Sequence, residues 1–269
     1  IYVLAYDENG LPTGLKSLTC STGAVADDPF TVTTTHVGTT TLKYNVTAKD
    51  ASVKYCTFAT GYDYYQRWQL EECTNGDVIK HFISMWSTFA SWYGENWQTM
   101  MKYDRREGTY EGDGYHLMWD ARQVVITFGM DDDGNLVTPI QVDSIHTNAP
   151  TPVDMDIPVT VLSNEWGDQQ IKAAPTTNTP YFITMQPAAY VDLYKTDAAL
   201  LRALCYEADN INPTDLARTR DEDLRDGLWE FRVRKDVDTD YYIIAVGLDE
   251  GAPATRAFKT KITVPGGSF

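Results

Sequence analysis

Positive charge, cysteine and long apolar runs are all scarce in this chain, and each scarcity excludes a class of protein. Lys and Arg together number 22 against 38 Asp and Glu, which leaves a formal net charge of −16 at pH 7. Nucleic acids and anionic membranes are bound by basic side chains that neutralise phosphate groups. We therefore expect no nucleic-acid partner and no anionic membrane surface as a ligand.

The sequence also lacks membrane-spanning and targeting signals. No apolar run approaches the roughly 18 residues that a membrane-spanning helix requires, and no basic start precedes an apolar core as in a signal peptide. The sequence thus predicts no transmembrane segment in this chain. Its acidity is typical of a protein kept soluble by charge, and we expect any targeting segment to have been removed or to lie upstream.

Cysteine and histidine lack the spacing that metal or nucleophilic chemistry needs. Of the four cysteines (Cys20, Cys56, Cys73 and Cys205), only Cys56 and Cys73 are close enough in sequence to share a domain, which allows a disulfide between them. The four histidines are isolated, and the motifs HExxH and GxSxG are absent. The sequence predicts no catalytic residue, metal ligand or cofactor. A hydrolase with dispersed carboxylates nevertheless stays open as an alternative in so acidic a chain.

An internal repeat organises what is present. Residues 238–260 have a copy 118 positions earlier, in which Gly129 matches Gly247. Residues 30–58 align without a gap on residues 157–185. A third copy of the closing segment occupies residues 1–22, which start where the other copies are half finished.

The repeat predicts four segments along the chain. They are the terminal hairpin of a truncated preceding domain (1–24), a first β-sandwich with an aromatic-rich helical insert (25–148), a proline-containing linker (149–156) and a second β-sandwich with a helical insert (157–269). Because an isolated hairpin is marginal in water, we expect the native polypeptide to extend further at its N-terminus.

Local patterns predict the fold class. Alternating apolar and polar residues mark strands in the first half of each unit, and β-branched runs followed by acidic, glycine-containing turns mark a closing hairpin. Between these halves, residues 77–93 and 196–209 carry apolar stripes at helical spacing. In the first stripe (Val78, Phe82, Trp86, Phe89 and Tyr93) we expect Phe82 and Trp86 to be inaccessible. The fold is predicted to be mainly β, built from tandem immunoglobulin-like or fibronectin-III-like β-sandwiches.

The closing motif carries a resemblance to a known family. Residues 239–251 read Thr-Asp-Tyr-Tyr-Ile-Ile-Ala-Val-Gly-Leu-Asp-Glu-Gly and are followed by Thr255 and Phe258-Lys-Thr. This pattern, with a helical insert just before it, resembles the tandem fibronectin-III-like or immunoglobulin-like modules of Bacteroidetes surface lipoproteins. The first unit departs from it at Asp120-Ala-Arg-Gln-Val-Val. The resemblance implies an exported protein at the cell surface or in the periplasm, anchored upstream, that contacts glycan or protein or serves as a spacer.

Aromatic residues concentrate in the first insert, which holds five of the seven tryptophans. Rings exposed on a rigid scaffold stack on the apolar faces of sugars and on protein partners. Residues off the helical stripe are the ligand candidates because the stripe itself is expected to be core. They are Tyr62, Tyr64, Tyr65, Trp68, Trp92 and Trp97.

Asp131, Asp133 and Asn135 have the alternate spacing of calcium ligands. A calcium loop would also need glycine at its sixth place and a bidentate glutamate where Val142 stands. We interpret the segment as a hairpin turn.

The leading functional hypothesis is a non-catalytic cell-surface array that binds carbohydrate or protein, or acts as a spacer. A fibre or pilus subunit that exchanges strands is a further alternative, prompted by the incomplete first repeat.

Overall fold

The computed structural model describes residues 2–6, 12–17, 28–70, 77–204 and 227–267. The strands β1 (Tyr2–Tyr6) and β2 (Pro12–Ser17) pair antiparallel with each other as a two-stranded sheet. The expected hairpin at the N-terminus is therefore present. Its assignment to a truncated preceding domain stays a prediction, and its acidic turn, Asp7-Glu8, lies outside the described residues.

The first unit consists of two antiparallel sheets with helices between its third and fourth strands. One sheet has the order β3-β4-β6 and the other β5-β7-β8. Three helices, α1 to α3, follow β5 and precede β6. The bounds are β3 Phe30–Val37, β4 Leu42–Ala48, β5 Tyr55–Gly61, α1 Tyr62–Trp68, α2 Val78–Tyr93, α3 Trp97–Asp104, β6 Thr109–Gly114, β7 Arg122–Gly129 and β8 Gln141–His146.

The second unit repeats this plan. Its sheets have the orders β9-β10-β12 and β11-β13-β15, with a short β14 also paired to β13. Helices again stand between the third and fourth strands. The bounds are β9 Val159–Glu165, β10 Asp168–Ala173, β11 Tyr181–Pro187, α4 Ala188–Val191, α5 Asp197–Arg202, β12 Leu228–Phe231, β13 Thr239–Asp249, β14 Ala252–Pro253 and β15 Phe258–Val264.

This strand order confirms the predicted fold class and the predicted common order of the two units. The first, second and fifth strands of a fibronectin-III-like or immunoglobulin-like sandwich form one sheet, and the third, sixth and seventh form the other. In both units a helical insert stands where the fourth strand would be. The chain is mainly β, as the alternating patterns predicted.

The repeated glycine occupies the same register position in both units. Tyr55 pairs with Gly129 and Tyr181 pairs with Gly247. In each unit the glycine N–H donates to a threonine Oγ1 in the next strand connection, over 2.8 Å to Thr138 and 2.9 Å to Thr255. Each threonine hydroxyl in turn donates to the carbonyl oxygen of its following residue. We call each of these glycine–threonine pairs (Gly129 with Thr138, Gly247 with Thr255) the hairpin lock, because its hydrogen bonds hold the closing hairpin together.

Each unit has three layers rather than two, because its helices cover the outer face of one sheet. In the first unit, Tyr55 and Val125 face a core between the sheets, whereas Ile126 and Phe128 face the helices. The second unit divides the alternate residues of β11 and β13 in the same way. A strand covered on both faces is largely apolar, which explains the apolar runs of β7 and β13.

Helix α2 forms where its pattern predicted. Asp77 is the N-cap residue, since its side chain accepts from the backbone N–H groups of Ile79 and Lys80. Phe82 and Trp86 are each 1% exposed, which confirms the expected burial. The indole Nε1 of Trp86 donates to Asp104 at 2.7 Å, so this ring is buried with its polar atom paired.

The predicted second helix begins as expected at Thr196, whose hydroxyl accepts from Ala199 N–H. Residues 205–209 of that stripe lie outside the described residues, as do Cys20, Cys73 and Cys205. Cys56 is a free buried thiol, and the disulfide that the sequence allows with Cys73 involves a residue outside the described part of the chain.

The proline-containing linker is docked on the second unit along its length. Thr151 N–H donates to the Asp249 carboxylate at 2.7 Å, and Val153 N–H donates to the Ala254 carbonyl at 3.0 Å. Met155 is buried in the core of the second unit. The connection between the units is therefore held in one conformation by backbone and side-chain contacts.

Candidate binding surface

Three aromatic side chains form an exposed surface at the C-terminal end of α2. Phe89 is 39% exposed, Trp92 68% and Tyr93 72%. The rings of Phe89 and Trp92 meet edge to face, with their centroids 5.2 Å apart. Because these residues stand at i, i+3 and i+4, they share one side of the helix. We call Phe89, Trp92 and Tyr93 the α2 aromatic surface.

This exposure corrects the prediction that the stripe of α2 is buried to its end. Phe89 and Tyr93 follow Phe82 and Trp86 at helical spacing, yet they lack the cover that the earlier residues have. In the last two turns of α2 the buried residue is Ala90. The stripe thus continues beyond the layer that buries its first half.

Trp97 and Trp68, two of the predicted ligand residues, are instead packed within the first insert. The Trp97 ring lies parallel to that of Trp86, with centroids 6.4 Å apart, and also contacts Gly134 in the β7–β8 turn. The Trp68 ring stacks on His81 at 4.2 Å and meets the edge of Phe82. Both tryptophans are half-buried members of the cluster between helices and sheet.

The three tyrosines of α1 are arranged differently from one another. Tyr62 lies beneath the Arg122 guanidinium, whose central carbon is 3.9 Å from the ring centroid. Tyr65 is half-buried, and burial raises the pKa of its hydroxyl. Tyr64 is exposed and has the Arg67 guanidinium above its ring at 5.0 Å. Of the six predicted ligand residues, Trp92 is the one placed within the α2 aromatic surface.

The spacing of Phe89 and Tyr93 assigns them to the buried stripe, although both are exposed. A second signal was available in the sequence. Residues 82–94 contain no Asp, Glu, Lys, Arg or His, although the chain carries 60 residues of the first four types. A buried stripe explains the uncharged inner side of a helix, but an uncharged outer side is typical of an interface.

The acidic turn between β7 and β8 is a hairpin turn, as interpreted from the sequence. The Asp131 carboxylate accepts from the backbone N–H groups of Asp133 and Asn135 and from the Asn135 side-chain amide. The hydrogen bond from the Asn135 side chain is the main reason that the pKa of Asp131 lies below its usual value. Arg105 forms an ion pair with Asp132 and binds the turn to the end of α3. Among the described residues no cluster of His, Cys, Asp and Glu has a metal-binding arrangement.

A cleft of about 540 Å3 lies between the two units. Its walls carry Trp119 and Asp120 from the first unit and Asp197 and Arg202 from α5. Each of the two carboxylates is already paired: Asp120 contacts His146 Nε2 at 3.2 Å, and Asp197 accepts from Lys259 Nζ at 2.8 Å.

Among the described residues, the carboxyl group with a raised pKa stands outside this cleft. Burial, followed by the nearby charge of Asp28, raises the pKa of Asp143 on β8, while Gln141 Nε2 donates to it at 2.9 Å. Asp143 lies outside the inter-unit cleft. A pair of carboxylates within one cleft, which a glycosidase would need, is therefore not formed by Asp143 with the cleft residues.

Comparisons with known proteins assign this chain to no family. No family model and no curated protein matches the sequence. Among solved structures, the chain is similar to the FN1–FN3 domains of chicken CNTN1, with 10% identity and a TM-score of 0.28 over 87% of this chain. The match spans 65% of the CNTN1 chain. No helix in the described parts of the chain is long and apolar enough to cross a membrane.

Proposed function

We propose that this protein is a non-catalytic binding array in which the first β-sandwich presents the α2 aromatic surface to carbohydrate or protein. The observation that carries the proposal is the exposure of Trp92 and Tyr93, two large rings on a capped helix whose other side is anchored in the core. Large, rigid aromatic side chains on a fixed element are the usual anchors of binding surfaces.

Contacts with the second unit support this role, because they hold the first unit in place. Thr39 and Thr40 of the first unit donate hydroxyl hydrogen bonds to the Glu250 carbonyl, at 3.1 Å and 2.8 Å. Trp119 packs against the helix-covered cluster of the second unit, which includes Leu200 and Leu201. An array with such a junction projects its first unit at a fixed angle, as a spacer must.

We further propose that the array works at the cell surface or in the periplasm and is anchored through upstream sequence. Support comes from the resemblance of the closing motif to Bacteroidetes surface lipoproteins and from the net charge of −16.

The test is a binding screen of the intact chain against immobilised polysaccharides and surface proteins. We expect Trp92→Ala with Tyr93→Ala to abolish the binding that the unaltered chain shows. Tyr103→Ala is the matched control, since this tyrosine is 71% exposed on α3 rather than α2. Equal binding by both variants would refute the proposal, as would the absence of any ligand across the screen.

A further inference from the structure

We infer that the ligand of the α2 aromatic surface is a neutral glycan. This inference rests on the proposed function and narrows its partner. Three properties of the surface carry it: its area, its charge and the state of the hydroxyl group beside the rings.

The area is small for a protein partner. At about 200 Å2 for each aromatic side chain, the exposed fractions of Phe89, Trp92 and Tyr93 amount to about 360 Å2. A stable protein–protein interface takes about 800 Å2 from each partner, of which about 450 Å2 is apolar, so the rings alone fall short of it. A pyranose ring, in contrast, is close in size to a six-membered aromatic ring, so a short run of sugars stacked on Trp92 and Tyr93 covers the surface.

The charge of the surface and of the whole molecule selects against anionic ligands. The stretch 82–94 has no basic side chain to pair with a carboxylate or sulfate, and the next residue but one after Tyr93 is the exposed acid Glu95. The net charge of −16 adds a long-range repulsion against anionic polymers. A sugar without ionised groups approaches the rings without either penalty.

One hydroxyl group beside the rings is set as an acceptor. Thr88 stands four residues before Trp92, so the two side chains share one side of α2, and Thr88 is exposed. Its Oγ1 donates to the Ser84 carbonyl at 3.0 Å. Having given its proton to the helix backbone, this oxygen keeps lone pairs that accept from a hydroxyl group of a sugar.

The experiment compares polymers that share a backbone and differ in charge. The intact chain is titrated with hydroxyethyl cellulose against carboxymethyl cellulose, with methyl-esterified against de-esterified homogalacturonan, and with neutral glucan, mannan, galactan and xylan. Binding is followed by tryptophan fluorescence and affinity electrophoresis. We expect at least one neutral polymer to bind, and Trp92→Ala to weaken it roughly ten-fold or more. Tyr103→Ala should leave the affinity unchanged.

Salt provides a second measurement. For a carboxylated polymer whose neutral counterpart binds, the affinity should be lower and should rise with salt, because salt screens the repulsion. The affinity of the neutral polymer should not change.

Preference for the carboxylated member of a pair would overturn the inference and leave the proposed function standing. A protein ligand that depends on Trp92, with no polysaccharide bound, would do the same. If no ligand of either class depends on Trp92 or Tyr93, both proposals fail.

Discussion

At the scale of single residues, the aromatic side chains of the first insert differ in whether other side chains cover them. Trp86 and Trp92 belong to the same helix, but Trp86 is enclosed by Phe58, Phe82 and Trp97 while Trp92 faces solvent. Burial of a large side chain stabilises the fold, whereas an exposed one contributes little to stability and is available for binding. Removal of the buried tryptophan is therefore expected to lower stability, whereas removal of the exposed one is expected to weaken binding.

Trp86→Ala should lower the free energy of unfolding by about 3–5 kcal/mol, because it opens a cavity and leaves Asp104 without its indole donor. Trp92→Ala, the control on the same helix, should change it by less than about 0.5 kcal/mol. Urea denaturation followed by circular dichroism measures both. Similar values for the two variants would contradict the layer assignment.

A buried thiol gives a pH dependence. Burial, with a smaller contribution from the Asp104 charge, raises the pKa of Cys56 from 9.0 to about 12. Between these values the unfolded chain releases the proton while the folded chain keeps it. Stability from this group is therefore complete below about pH 9 and is lost as the pH rises toward 12, by up to about 1.4 kcal/mol per pH unit.

Unfolding free energies measured between about pH 8 and pH 11 test this assignment. Cys56→Ala should flatten the decline even though it lowers stability at the starting pH. An unchanged slope would show that other groups account for the decline. Tyr44, whose pKa burial raises to about 12, contributes with the same sign and remains in both proteins.

At the scale of elements, the repeated hairpin lock is the feature that both units share most closely. A Cβ added to Gly247 would stand 2.8 Å from Thr255 Cγ2 and 3.0 Å from Met155 Sδ. The equivalent Gly129 would place a Cβ 2.7 Å from Thr138 Cγ2. The glycine is required because the threonine must approach closely enough to accept from the glycine N–H.

Gly247→Ala should accordingly destabilise the protein by about 1–3 kcal/mol through overpacking. Thr255→Ser removes the clashing methyl group and keeps the hydroxyl, so the double variant should recover part of that loss. A double-mutant cycle in urea measures the coupling. Strictly additive effects would show that Thr255 is not what excludes a side chain at this position.

At the scale of the whole molecule, the two sandwiches are joined through a junction with both apolar and hydrogen-bonded contacts. Trp119 reaches from the first unit into the helical layer of the second, and the β13–β14 turn at Glu250 contacts the β3–β4 loop. Such a junction fixes the direction in which the α2 aromatic surface points.

Trp119→Ala should loosen this junction without unfolding either unit. We expect small-angle X-ray scattering to show a larger radius of gyration and a broader distance distribution, with unchanged circular dichroism. Tyr115→Ala is the control, because Tyr115 is exposed nearby and its hydroxyl bonds Asp113 within the same unit. Identical scattering from the two variants would contradict a rigid pair.

The sequence by itself determined the elements and their repetition. Local or periodic signals can be recognised in the sequence without the structure. They include the alternation of the strands, the glycine shared at 129 and 247, and the cap at Asp77. The fold class and the burial of Phe82 and Trp86 followed from them. Helices α1 and α3 lacked such signals and were not predicted.

Only the tertiary structure decided which aromatic residues are covered. Trp97 and Trp68 lie off the helical stripe but pack onto Trp86 and His81 from neighbouring helices. Phe89 and Tyr93 lie on the stripe but extend past the layer that would bury them. Periodicity specifies which side of a helix is apolar. Burial depends on what other elements place against that side, and this is fixed only when the layers and the junction between the units have assembled.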